Sequence, residues 1–344
     1  MSVVGYHAFL GSAGRGNEGM FYQHFFANSY LFVDLFFMLS GFIMMEAYGR
    51  KLGSTLGSLS ISATFSFYRK RLTKILPNYY VWLTASILVV IGTNIVLGED
   101  KQLNCYPDAV FKHLLLIQNL MGTCKYFNTP LWSIAVEVAA YFIFPLLLIF
   151  LRNVVLLALF AIGLYLAIFS LHPNIDLLSG LPSIHRCMAG FISGMLAHKL
   201  VSAIQLARYL SNWAIIVFAA LIATISLGQE IVAIILMLAL VIITTENQGV
   251  LQRIFQAKPL YMIGRASFTL YLVHAPVLGI LILMTHKLEA ELGIPIASNH
   301  HIFISINLAC STFAGLFCYV LLEHQFERFA NEMRRKKRLR MQTT

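Results

Sequence analysis

Long apolar runs separated by short polar connections dominate the chain. Residues 30–47, 78–97 and 131–151 are each apolar over close to the length that crosses a bilayer, for which a helix needs about 20 residues. Runs of the same kind cover residues 154–171, 183–201, 213–228, 230–245, 260–284 and 302–322. Residues 1–10 read as the end of one more spanning helix. The pattern predicts an all-α polytopic membrane helix bundle of about ten transmembrane helices, the first partial. It forms a single integral-membrane domain over residues 1–330, followed by a basic tail over residues 331–344. Pro77 suits the first turn of a new helix, so 49–76 reads as a polar connection. Residues 98–130 read as a long loop with an amphipathic piece around 110–121.

Charge gives this bundle a direction. Arg50, Lys51, Arg69, Lys70, Arg71 and Lys74 fall in one connection that holds no acid after residue 49, and Arg152, Lys199, Arg208, Arg253 and Lys258 fall in alternate connections beyond it. The intervening connections are balanced or acidic. Short cytoplasmic loops are the ones enriched in Lys and Arg, so both termini are expected in the cytoplasm, with the chain in a bacterial cytoplasmic (inner) membrane.

Composition agrees. The chain is 58% hydrophobic and only 12% charged, where soluble domains carry about 25% charged residues. The net charge of +10 resides in connections and tail, as topology signals and lipid-headgroup contacts do, and no nucleic-acid partner is expected. No cleavable signal peptide is visible, because residues 1–10 are too short and lack a basic start. The cysteines show no ligand spacing, so no metal site is expected. Cys187, Cys310 and Cys318 lie in apolar runs and read as packing residues. Cys105 and Cys124 share one loop and could pair as a disulfide if that loop faces an oxidising compartment.

Polar residues inside the apolar runs are the candidates for chemistry, since acids in a membrane are usually functional or paired. Ser133, Glu137 and Tyr141 follow i, i+4, i+8 and form one polar stripe on a greasy helix headed by Trp132. His7 closes the first helix, and its imidazole can serve as a general base near neutral pH. An interfacial histidine without a role reads equally well. Asp34 lies early in the next span and could orient His7 or simply bond a neighbouring helix. Arg71 and Lys74, three apart on one helical face beside Arg69, could hold the phosphates of a nucleotide-like donor, although basic flanks also act as topology determinants. Ser267, Tyr271 and His274 form a second stripe, with Pro276 placed where a helix would kink. Arg186 could face the same cavity or snorkel. Together these residues suggest an internal polar cavity rather than a passive anchor.

The ordered set resembles the acyltransferase-3 family of bacterial membrane O-acyltransferases. The likeness rests on His7, on the stretch from Phe32 to Phe42 with Asp34, and on Arg71-Leu72-Thr73-Lys74 before Pro77, Tyr79 and Tyr80. It continues through Trp132-Ser133 to Glu137, Tyr141 and Pro145, and through Ser267 to Pro276 with Tyr271 and His274. Three positions depart from the family pattern. A D-G-L-R-like stretch before the first helix has no counterpart, which is expected to bear on activity. The second arginine of the basic pair is Lys74, which keeps charge but loses the bidentate fork, and Phe32 stands where a glycine is usual.

The resemblance implies transfer of an acyl group, most often acetyl, from acyl-CoA as donor substrate to a hydroxyl of a cell-surface or lipid-linked sugar. It implies His7, Asp34 and Glu137 as the catalytic set and Arg69, Arg71 and Lys74 as the donor site. Trp132, Ser133, Tyr141, Arg186, Tyr271 and His274 are then expected around the substrate. The alternative is a proton-coupled transporter or flippase for a lipid-linked glycan or small solute, since intramembrane acids and histidines serve that chemistry too. The basic pair before Pro77 is the feature a transporter does not need.

Overall fold

The computed structural model describes residues 1–12, 21–53, 61–97, 105–123, 126–151, 153–203, 210–245, 249–293, 296 and 299–323. Among the described residues fifteen α-helices follow one another and no strand occurs. They are α1 (Ser2–Gly11), α2 (Phe21–Ala27), α3 (Phe32–Met44), α4 (Arg50–Gly53), α5 (Ile61–Leu97), α6 (Tyr106–Leu114), α7 (Leu131–Phe150) and α8 (Val154–Leu171). Then come α9 (Gly180–Ala203), α10 (Ala214–Ser226), α11 (Glu230–Ile243), α12 (Val250–Gln256), α13 (Lys258–Arg265), α14 (Ser267–Leu292) and α15 (His300–Cys318). Among the described residues six helical segments are long and apolar enough to cross a membrane, and Ser211–Ser226 and Glu230–Ile243 are shorter apolar helices. With α1 and α9 these account for the ten expected segments, and the all-α membrane bundle read from the pattern is what forms. The basic tail lies outside the described residues, as does Cys124. Cys105 is disulfide-bonded, while Cys187, Cys310 and Cys318 are free thiols.

Helix α9 is the hub. Every residue from 186 to 197 is buried, and the helix packs against α3, α7, α8 and α11. Its tightest neighbour is α3, and glycine is the reason. A Cβ on Gly194 would lie 1.9 Å from the Met38 carbonyl oxygen, one on Gly41 would lie 1.9 Å from the Phe191 carbonyl oxygen, and one on Gly190 would sit 2.9 Å from the Phe37 Cβ. Gly190 and Gly194 form a small-xxx-small face, which lets backbones approach where lipid supplies no hydrophobic drive for helix association. This approach brings the first turn of α3 beside the second turn of α9, and so brings Asp34 to Arg186. A Gly194→Ala substitution collides with backbone, which cannot swing aside. It is expected to cost about 1–3 kcal/mol and to lower the melting temperature of the detergent-solubilised protein. An unchanged melting curve would show that α3 and α9 can part without loss.

Two expectations about helix boundaries are corrected. Helix α5 does not begin at Pro77 but runs unbroken from Ile61 to Leu97, with Pro77 inside it. No glycine interrupts residues 61–76, and Pro77 lies on an exposed side of the helix, so only the one backbone hydrogen bond to Thr73 is forgone. At about 1.5 Å per residue its 37 residues extend about 55 Å, well beyond a hydrocarbon core of about 30 Å. Arg69, Lys70, Arg71 and Lys74 all lie in its N-terminal half. The expected 260–284 span also divides. Lys258–Arg265 forms the short helix α13, and α14 starts afresh at Ser267.

The loop between α5 and α7 folds into the bundle rather than over it. Tyr79 donates to the His113 carbonyl (2.8 Å), Tyr80 donates to the Leu114 carbonyl (2.9 Å), and Asn119 donates to the Leu178 carbonyl (2.7 Å). His113 is itself buried, with Nδ1 on the Ala109 carbonyl (2.7 Å), and burial holds its pKa below the usual imidazole value. Asn128 ends this loop with a further role. Pro276 has no N–H, so the Leu272 carbonyl four residues earlier has no intrahelical donor, and Asn128 Nδ2 donates to it at 3.0 Å. Helix α14 runs on through Pro276, and its freed carbonyl anchors the loop leading into α7.

Candidate functional site

The buried polar residues gather in two groups joined along α7. In the first, α1, α9, α14 and the start of α7 enclose a cavity of about 280 Å³, with Tyr6, His7, Tyr30, Trp132, Asp176, Arg186 and Tyr271 in its lining. His7 Nδ1 lies 3.0 Å from the Val3 carbonyl oxygen, one turn back on α1, and 3.2 Å from His274 Nε2. His274 is fully buried. A carbonyl can only accept, so the proton of His7 resides on Nδ1 and the lone pair on Nε2, a tautomer assigned from the hydrogen bonds.

Of the two readings of Asp34, orienting His7 or bonding a neighbouring helix, the contact seen is the second. Both its side chain and that of Arg186 are fully buried, and the two form a forked ion pair. Arg186 Nη2 donates to Asp34 Oδ2 at 2.8 Å, and Nε lies 3.2 and 3.3 Å from the two carboxylate oxygens. The remaining contacts of the guanidinium run to the Tyr30 carbonyl (3.1 Å) and Asp176 Oδ1 (3.4 Å), and it lies over the Trp132 ring at 5.3 Å. A buried guanidinium needs this many partners to offset its desolvation. Tyr6 donates to the other oxygen of Asp176 at 3.0 Å, which ties α1 to the same network. Tyr30 donates to Glu230, whose second oxygen accepts from the Ile175 N–H at 3.0 Å.

The second group surrounds Glu137. Ser40 and Tyr141 both donate to Glu137 Oε1, so this carboxylate, which the resemblance puts in the catalytic set with His7, is engaged with α3 and with its own helix. Beside it, the Arg71 guanidinium lies 4.9 Å from the centre of the Tyr48 ring and 6.0 Å from that of Tyr141. Its Nε is buried without a hydrogen-bond partner. Arg69 and Lys74, by contrast, extend to the exposed surface. Of the three basic residues expected to hold phosphates, Arg71 alone faces into the bundle.

Ser133 bridges the two groups. Its hydroxyl lies 2.8 Å from the Tyr271 hydroxyl, at the cavity, and one helical turn, about 6 Å of rise, separates it from Glu137. Tyr271 also donates to the Pro130 carbonyl (3.2 Å), fixing the start of α7 against α14. The polar stripe read along α7 therefore runs from the imidazole pair to Arg71.

Sequence reasoning did not single out Tyr6, Tyr30, Ser40, Asp176 or Glu230. Asp176 carried a usable signal, as an acid ten positions before Arg186 in a connection between spans. Ser40 lay in the Phe32–Phe42 stretch that carries the family likeness but was given no role, and the tyrosines carried no signal, because their partners lie on other elements.

A polar cavity beside the start of α7 and a half-buried arginine beside Tyr141, about 14 Å of helix rise further along, lie within one bundle. Searches of curated proteins and of solved structures gave no significant match. The acyltransferase-3 family model, described as "Acyltransferase domain", matches residues 1–324, and the chain belongs to that family.

Proposed function

We propose that this membrane acyltransferase moves an acyl group, acetyl in the first instance, from acyl-CoA to a hydroxyl of a cell-surface or lipid-linked sugar in a bacterial inner membrane. The observation that carries this reading is the polar stripe along α7, which runs from the imidazole pair beside the cavity to Arg71, whose Nε is buried without a hydrogen-bond partner.

The Arg71 end is the cytoplasmic one in this reading, since the basic connections gather there. Arg71 engages the phosphates of the donor, and Arg69 and Lys74 extend the positive field. The thioester then reaches along Tyr141, Glu137 and Ser133 towards the cavity. A sugar there finds acceptors in the outer lone pairs of Asp176 and in the Tyr6 hydroxyl oxygen, and an apolar ring face in Trp132. His7 Nε2 takes the proton of the sugar hydroxyl as its oxygen bonds to the thioester carbonyl carbon. The C–S bond breaks, and the imidazolium returns the proton to the departing thiolate. An acyl-His7 intermediate is the other route to the same products, with the acyl group passing from sulfur to Nε2 and then to the hydroxyl.

The test is transfer from radiolabelled acetyl-CoA, in membranes holding the chain, into extracted lipid and glycan. Label is expected in one of these fractions, and its absence from both would overturn the proposal. An Arg71→Gln variant is expected to raise KM for acetyl-CoA about 10- to 100-fold, the size of one lost hydrogen bond to a charged group, with a smaller change in kcat. An unchanged KM would place the donor elsewhere.

A further inference from the structure

We infer that His274 is the positioning residue for His7, holding the catalytic imidazole in the tautomer whose Nε2 lone pair is open to the cavity; this rests on the proposed function for its catalytic consequence. General-base catalysis by a histidine needs a third group that fixes the ring and accepts from its far nitrogen, and a carboxylate commonly fills that place. Here the carboxylates are taken. Asp34 is committed to Arg186, Asp176 to Arg186 and Tyr6, and Glu137 to Ser40 and Tyr141. What meets His7 Nδ1 is the Val3 carbonyl at 3.0 Å and His274 Nε2 at 3.2 Å.

The two contacts together determine both tautomers. The Val3 carbonyl requires a proton on His7 Nδ1. That proton also lies towards His274 Nε2, which must then be a lone pair, because two N–H groups would otherwise face each other. The proton of His274 is left on Nδ1, which is buried; the Leu270 and Tyr271 carbonyls of its own helix are the nearest acceptors, and neither makes a hydrogen bond of full geometry. The ring is also held by its neighbours. Tyr271 lies beside it at 5.7 Å between ring centres, and Asn128 anchors the freed Leu272 carbonyl two residues away.

The consequence appears when His7 accepts the hydroxyl proton. The imidazolium then carries its charge next to a neutral acceptor that strengthens its hydrogen bond as the charge develops. His274 contributes orientation and charge stabilisation while touching neither substrate. A neutral partner suits this interior, where a further buried carboxylate would need its own cation.

Two measurements test this. Nitrogen-15 NMR of histidine-labelled protein in lipid nanodiscs is expected to show His7 protonated at Nδ1 and bare at Nε2, and His274 likewise. Assignments come from the loss of each signal in His7→Gln and His274→Gln. A His7 ring protonated at Nε2 would overturn the inference whether or not the protein transfers acetyl groups. The second measurement is label transfer from acetyl-CoA in membranes, normalised to the amount of folded protein. His274→Phe, which keeps the ring and removes the acceptor, is expected to lower the maximal rate about 10- to 100-fold, with KM for acetyl-CoA changed less than about twofold. His274→Gln places an amide where Nε2 was and is expected to recover most of that loss. A fully active His274→Phe, or a His274→Gln as impaired as His274→Phe, would also overturn it. A wild-type chain that transfers nothing from acetyl-CoA would instead count against the proposed function, leaving the tautomers to the NMR.

Discussion

His7→Ala is expected to lower acyl transfer about 10²- to 10⁴-fold, the range that a positioned general base contributes. The substitution removes the only described side chain at the cavity that combines a lone pair with an unengaged nitrogen. Tyr6 and Arg186 are donors already spent on Asp176, and Tyr271 is held by Ser133 and the Pro130 carbonyl. The fold is expected to survive, because α1 stays anchored through Tyr6 and through buried Val3, Val4 and Ala8. The loss is expected to fall on kcat, with KM for acetyl-CoA little changed, since the proposed phosphate contact, Arg71, lies beside Tyr141 rather than at the cavity. His7→Gln separates the two chemical routes only weakly, as an amide supports neither, so trapping of a labelled acyl-histidine on the wild type is the more informative companion experiment. Full transfer by His7→Ala would remove His7 from the mechanism, and with it the role assigned to His274.

The sequence carried the bundle and most of the residues at its centre, but not how they pair. Helix count and the two polar stripes were legible because 3.6-residue periodicity is a local property. Ser133, Glu137 and Tyr141 share a face whatever surrounds them, and so do Tyr271 and His274. The partners were not legible, because each contact joins different helices. Asp34 could be read either as orienting His7, on the analogy of a carboxylate and an imidazole, or as bonding a neighbouring helix, and the sequence did not choose. The glycine face of α9 sets Asp34 against Arg186, and that face acts through what it lacks, which a search for reactive groups passes over. The start of α5 was misplaced for a related reason. Proline is a strong boundary signal, but one lost hydrogen bond on an exposed side is outweighed by a long run of residues that all accept a helix.

Arg186→Met is expected to be the most destabilising single change, costing about 3–5 kcal/mol, the typical penalty for removing one partner of a buried ion pair. The penalty arises from what remains more than from what is lost. Asp34 is fully buried, and without Arg186 its carboxylate must either stay charged in a low-dielectric interior or take up a proton. Asp176 and the Tyr30 carbonyl lose a donor at the same time, so α1, α3 and α9 are all loosened around the cavity. Arg186→Lys keeps the charge but cannot bridge Asp34, Asp176 and the Tyr30 carbonyl at once, because an ammonium lacks the planar fork. It is expected to fall between wild type and Arg186→Met in thermal stability. The double variant Asp34→Asn/Arg186→Met removes both charges and is expected to be more stable than Arg186→Met alone, and that ordering identifies the uncompensated carboxylate as the cause. Melting of the detergent-solubilised protein, followed by the fraction that stays monodisperse on size exclusion, gives all four values on one scale. If Arg186→Met melted with the wild type, the ion pair would be an accessory to the fold rather than the joint between α3 and α9. The cavity would then have to owe its shape to the glycine contacts alone.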